Sequence, residues 1–260
     1  VPFTPSHVAA VLPFISSPRL RRYADPWALA LGAMVPDLPI FLPFLPAREN
    51  WHTPLGIVTI DLASVLIALA LFHGLFRDPL ISLLPPVVSG RVASLAPSMR
   101  EVAARPLPLV VGGLVGASTH VLWDSFTHSG APELWAPWFA VSVLGVIRLF
   151  RLLQYVSSVV GLALVGWWAW RGLSRMPVVP VPERLRVAPS VRWTVLGAGA
   201  AGMVAGAFVW PTIDEPAPHL GIASVITKTG AGTLIGLCLV LTCYAAVWQF
   251  RRLVAVSEGA

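Results

Sequence analysis

Charge is scarce in this chain. Asp, Glu, Lys and Arg together make up 12% of its 260 residues, against about 25% in a soluble domain. Lysine is almost absent: Lys228 stands alone beside arginines that are scattered rather than striped between aromatics, which argues against nucleic acid as a partner. There are two cysteines, Cys238 and Cys243. Five residues apart, they face different sides of a helix, so a bond between them is geometrically poor and they are expected to be small buried hydrophobes. The HExxH helix and the GxSG serine motif are missing, which argues against an intramembrane protease. Also missing is the basic n-region of a cleavable leader, so insertion is expected to be guided by the first apolar helices.

What remains is apolar. With 56% hydrophobic residues and a mean hydropathy of +0.77, the chain reads as an all-α polytopic transmembrane bundle. Six segments of near-spanning length stand out, roughly 27–46, 56–76, 108–126, 152–170, 193–210 and 229–250. Most arginines fall on one side if every segment crosses, leaving Arg48, Arg148, Arg151 and Lys228 opposite. That asymmetry predicts both termini in the cytoplasm. The expected organisation is a helical core over 1–170, a Pro- and Arg-rich connector over 171–192 and a helical hairpin over 193–260. The stretch from Leu80 to Arg105 is interrupted by Pro85 and Pro86 and reads as surface-lying or re-entrant. Glycines at 197, 199, 202 and 206 in the fifth segment predict close helix packing.

Polar chemistry gathers in the first half. His120, Asp124 and His128 recur every four residues in THVLWDSFTH, within about 40° of one another around a helix. Charged and imidazole groups at membrane depth are expensive and mark function. His7 lies in TPSHVAA, where Thr4 or Ser6 caps a short helix to about Ser16. Asp37 lies between Pro36 and Pro39, which break the first apolar segment. His52 precedes the second segment, and Asp61 lies inside it. Imidazoles with carboxylates suit a borderline ion, zinc best, in a site of one or two ions. His73 and His219 read as interfacial polar residues. Gln154, Ser157 and Ser158 form a polar face that suits either a headgroup or interhelical hydrogen bonds, and Trp51 and Trp123 suit the headgroup level.

The stretches PFTPSHVAAVLP, GAMVPDLPIF, WHTPLG, THVLWDSFTHSG and LLQYVSSVVG resemble an uncharacterised bacterial multi-pass family, domain of unknown function 4184, over roughly residues 2–170. That resemblance implies an inner-membrane protein and no particular reaction. The order His, Asp, His, HxxxD, His is more distantly similar to membrane-bound metal-dependent hydrolases and zinc-dependent phospholipase C. This likeness implies one ion on Asp37, His52, His120 and Asp124. It implies a second on His7 and Asp124, with Asp124 bridging and His128 outside or on a further ion. The later HxxxE pair of the soluble phospholipases has no counterpart.

Three functions follow as expectations. The first is a metal-dependent hydrolase of a phosphoester or lipid substrate, with Asp124 and Asp61 in catalytic or positioning roles and Gln154, Ser157, Ser158 and Trp123 at the substrate. The second is a transporter passing ions or protons along Asp37, Asp61 and the histidines. The third is a structural membrane protein. Oligomeric state is not legible. One topological conflict stands: His52 and His128 fall at the outer face and His7 at the inner. A first segment that re-enters at Asp37 is the expected resolution.

Overall fold

The computed structural model describes residues 3–93, 99–218 and 221–258; His219 lies outside them. The described chain is overwhelmingly helical, with one pair of two-residue antiparallel strands, Ser142–Val143 and Ile147–Arg148, meeting across a turn at Leu144 and Gly145. Five helical stretches are long and apolar enough to cross a membrane: Pro54–Leu83, Pro106–Thr127, Leu149–Arg175, Glu183–Ile213 and Ser224–Val254. The first apolar segment is not among them, being a shorter, broken stretch over Pro26–Phe41. The chain divides into two compact units, Val1–Leu69 with Arg100–Arg175, and Ala70–Met99 with Met176–Ala260.

In the first unit, α1 is Val8–Ser16, α2 is Pro26–Gly32, α3 is Pro54–Leu83 (which runs on into the second unit), α4 is Pro106–Thr127 and α5 is Leu149–Arg175. Helix α1 has no side-chain cap, contrary to the reading of Thr4 and Ser6. Instead α2 is capped by Asp25, whose carboxylate accepts from the Trp27 and Ala28 amides at 2.9 and 3.1 Å. Helix α2 lies parallel to α4 at backbone contact. The Asp25 amide donates to the Pro108 carbonyl at 2.8 Å, and a Cβ on Gly116 would stand 2.4 Å from the Leu29 carbonyl oxygen. Only glycine permits that approach.

Helix α2 ends where Pro36 has no amide to continue it. The Asp37 amide turns to the Met34 carbonyl in a 3₁₀ turn, Val35–Asp37, leaving the Ala33 carbonyl without its helical donor. A buried cluster of Ala28, Val35, Trp51, Val65, Leu69 and Leu109 fills the space beside this break. Trp51 is therefore core rather than headgroup-level, its indole donating to the Pro46 carbonyl at 3.1 Å.

The topological conflict resolves by a route other than re-entry. Helix α2 runs from the Arg19–Arg22 turn toward Asp124 without turning back, and Arg105 donates to the Arg21 carbonyl at the far end. Helix α1 makes the return. Ser6 packs on Gly161 and Ser16 accepts from the Trp168 indole at 2.9 Å, so α1 lies parallel to α5. Thr4 to Ser16 spans about 20 Å of helix rise, which carries His7 back to the level of Asp124.

In the second unit, α6 (Pro189–Ile213) and α7 (Ile222–Glu258) form a hairpin. Gly206 faces Gly232 so closely that a Cβ would meet the Gly232 carbonyl at 2.0 Å, and Gly202 meets Gly236 in the same way. Close packing by these small residues is as expected from the sequence. Tyr244 and Ser82 share a hydrogen bond of 2.8 Å. The stretch around Pro86–Val92 is helical and lies on the connector, with Gly90 against the Val179 backbone. Leu185 within the connector is buried. Both cysteines are free and on the exposed helix surface rather than buried, because they face outward from an apolar span.

Candidate metal centre

Helix α4 presents His120 and Asp124 on its buried face, one turn apart. The break after α2 delivers Asp37, wholly buried, to the same point. A single turn, Arg48–Trp51, delivers His52. One ligand atom from each of Asp37, His52, His120 and Asp124 lies within 4.8 Å of all the others.

The separations are informative. His120 Nε2 stands 3.6 Å from Asp37 Oδ1 and 3.5 Å from Asp124 Oδ2, and His52 Nε2 stands 3.3 Å from the same Asp124 oxygen. Bonds of about 2.0–2.1 Å to a tetrahedral ion put its ligand atoms about 3.3–3.4 Å apart. His120 Nε2 and Asp124 Oδ1 are buried without a hydrogen-bond partner, which is costly in a bare protein. Both imidazoles are oriented from behind. His120 Nδ1 donates to the freed Ala33 carbonyl at 2.8 Å and His52 Nδ1 to the Arg48 carbonyl at 3.0 Å. A backbone carbonyl only accepts, so in the neutral ring each Nε2 lone pair faces the cluster. The donor set fits a borderline divalent cation.

His7 joins from α1's N-terminal turn. Its ring stacks on His120 at 3.9 Å, and its Nε2 lies 3.4 Å from Asp124 Oδ1, the oxygen the first cluster does not use. Burial pushes its imidazole down to about 4, with His120 adding to the effect against the pull of Asp124 and Asp37. The neutral ring keeps a lone pair for a ligand. His128 reaches Asp124 only through Nδ1, which donates to the Asp124 backbone carbonyl at 2.9 Å, while its Nε2 is buried without a partner. It stands beside the four-residue cluster rather than in it. Asp61 is fully buried at the end of a π-helical turn, Ile57–Asp61, and neither carboxylate oxygen has a hydrogen-bond partner.

Two contributors escaped the sequence reading. Arg48 donates to Asp124 and stands 3.5 Å from Asp37, and Thr4 donates to Asp37 Oδ2 at 2.8 Å. Arg48 was legible only as a minority charge, although it lies one helical turn before His52. Of the proposed substrate residues, Trp123 and Ser157 line an apolar cavity of about 250 Å³ between α1 and α5, with His7 in its wall. Gln154 is buried and accepts from Arg151 at 2.9 Å, and Ser158 accepts from the Phe3 amide at 3.0 Å. Both of these side chains are engaged by other groups of the protein. His73 is buried in the second π-helical turn of α3, edge-on to Phe72 at 5.0 Å.

No curated protein and no solved structure matches this chain. A family model described as a domain of unknown function (DUF4184) matches residues 1–246. The match takes in every residue of the cluster, and the chain belongs to that family.

Proposed function

We propose that this protein is an integral membrane metal-dependent hydrolase acting on a phosphoester or lipid substrate, with zinc the best-suited ion. The observation that carries this reading is the convergence of Asp37, His52, His120 and Asp124, with His120 Nε2 buried and unpartnered among the ligand atoms. His7 with Asp124 Oδ1 supports a second ion bridged by Asp124. A divalent ion held there lowers the pKa of bound water toward about 7 and polarises a phosphoryl oxygen.

The remaining work falls to side chains. Two carboxylates against one guanidinium leave the centre one negative charge. One divalent ion brings this to one positive charge and a second to three, and either favours a phosphodiester monoanion. Arg48, with its side chain 28% exposed and its Nε unpartnered, is the group at hand to hold a phosphoryl oxygen. Thr4 and the Ala33 carbonyl fix Asp37 and His120. The apolar cavity beside His7 offers room for part of an alkyl chain, with Trp123 at its edge. Asp61 is a positioning or proton-accepting group near His52 and His120 rather than a ligand of the four-residue cluster.

The arginine distribution supports an outward-facing site. In the first unit, Arg21 and Arg105 lie together at the end of α4 away from Asp124. The excess of positive charge marks that end as cytoplasmic. His7 then lies at the opposite end, because α1 runs back, so the residues around His7 depart from the expectation that both termini are cytoplasmic.

A transporter is the second reading, and Asp61 favours it. An unpartnered, fully buried carboxylate inside a spanning helix is a natural further step for a cation. The test is hydrolysis of phosphatidylcholine vesicles and of a soluble phosphodiester by the zinc-supplied protein. The hydrolase reading expects turnover that a chelator abolishes and Asp124→Asn removes. Zinc flux into proteoliposomes without turnover would replace it with the transporter.

A further inference from the structure

We infer that the second unit carries an anion site for a phosphate group at the N-terminus of α6, independent of the metal centre. A cavity of about 390 Å³ opens there, lined by Ser89, Arg186, Arg192, Leu185 and Pro189 among others. Helix α6 starts at Pro189 with no side-chain cap. The Arg192 amide bonds to the Ala188 carbonyl, which leaves the amides of Ser190 and Val191 without helical acceptors. Such an end attracts anions.

A second, independent feature points the same way. Ser89 is 2% exposed and its hydroxyl, in the wall of the cavity, has no hydrogen-bond partner. A buried hydroxyl is ordinarily satisfied, and a ligand oxygen in the cavity would satisfy this one. The two guanidiniums are braced but not consumed. Arg186 Nε donates to the Val181 carbonyl at 3.0 Å, and Arg192 donates to the Ser82 carbonyl at 3.4 Å while its Nε stays unpartnered. Asp78 is paired with Arg77, Arg184 and Arg252. Among the cavity-lining residues there is no carboxylate.

The ligand chemistry is a phosphate monoester or diester. The cavity lies where the apolar run of Glu183–Ile213 begins, the depth of a lipid headgroup. Basic pockets at that level hold anionic headgroups, each arginine contributing about five-fold in affinity.

The experiment uses the full chain in phosphatidylcholine nanodiscs containing phosphatidylglycerol, with bound lipid counted by native mass spectrometry. In parallel, thermal protection by inorganic phosphate is measured in detergent. Selective retention of phosphatidylglycerol, weakened about thirty-fold in Arg186→Gln/Arg192→Gln and several-fold in Ser89→Val, supports the site with a lipid as its source. Protection by inorganic phosphate, lost in the same variants, supports it with a soluble anion as its source. Thermal midpoints equal to wild type without added anion establish that the variants fold, and Ser89→Val leaves the charge untouched. Neither ligand bound, equal binding by the double variant, or an equal loss in Arg184→Gln would overturn the site.

Discussion

Replacing Gly116 with alanine alters the candidate centre without touching a ligand. The new Cβ would lie 2.4 Å from the Leu29 carbonyl oxygen and 2.9 Å from the Ala33 amide nitrogen. Ordinary carbon–oxygen contact begins about 0.6–1 Å further out, so α2 must move away from α4 by about that amount. The hydrogen bond from His120 Nδ1 to the Ala33 carbonyl, now 2.8 Å, then stretches past useful length. Asp37, carried on the same segment, shifts by several times the ~0.2 Å that a metal site tolerates. Losing an orienting partner weakens metal affinity by about 10–100-fold. The overpacking costs about 1–3 kcal/mol, offset in part by alanine's helix propensity, so helical content is retained. The assay is zinc titration by competition with a chelating dye, alongside circular dichroism. Gly166→Ala on α5, where a Cβ meets nothing within 4 Å, is the control and leaves both unchanged. Wild-type zinc affinity in Gly116→Ala would refute the idea that the α2–α4 contact sets the geometry of the centre.

Thr4→Val removes the 2.8 Å hydrogen bond to Asp37 and is expected to weaken zinc binding by about ten-fold, read in the same titration. Arg48→Gln is expected to leave one or more ions bound but to raise KM for a phosphodiester by at least ten-fold, since a hydrogen bond to a charged group contributes about 1.5–3 kcal/mol; an unchanged KM would remove Arg48 from the substrate. Gly206→Ala in the α6–α7 hairpin drives a Cβ to 2.0 Å from the Gly232 carbonyl and is expected to cost about 1–3 kcal/mol, seen as a lower thermal midpoint.

The cluster of candidate ligands was legible because lipid makes polar residues conspicuous. His120 and Asp124 declare themselves by a four-residue interval in an otherwise apolar helix, and Asp37 by two flanking prolines that forbid a straight span. The spanning helices were legible for the same reason, as was the glycine face of α6. The course of α1 was not. Val8–Ser16 is too short to register as a crossing, so hydropathy alone puts His7 on the face opposite His52 and His128. Arg48 was hidden because one arginine in a loop has no periodic context. Thr4 reads from local sequence as a cap for α1, yet α1 has no side-chain cap and the Thr4 hydroxyl goes to Asp37 instead. Long-range partners such as Thr4 with Asp37, 33 residues apart, leave no mark in local spacing.

The metal content of the purified full chain, wild type beside His120→Ala, bears most directly on the centre. With zinc supplied and the excess washed away, wild type is predicted to keep one or two ions per chain, and His120→Ala to lose at least one while remaining folded. A wild-type chain that retains no metal under these conditions, its acids held by Arg48 alone, would contradict the account.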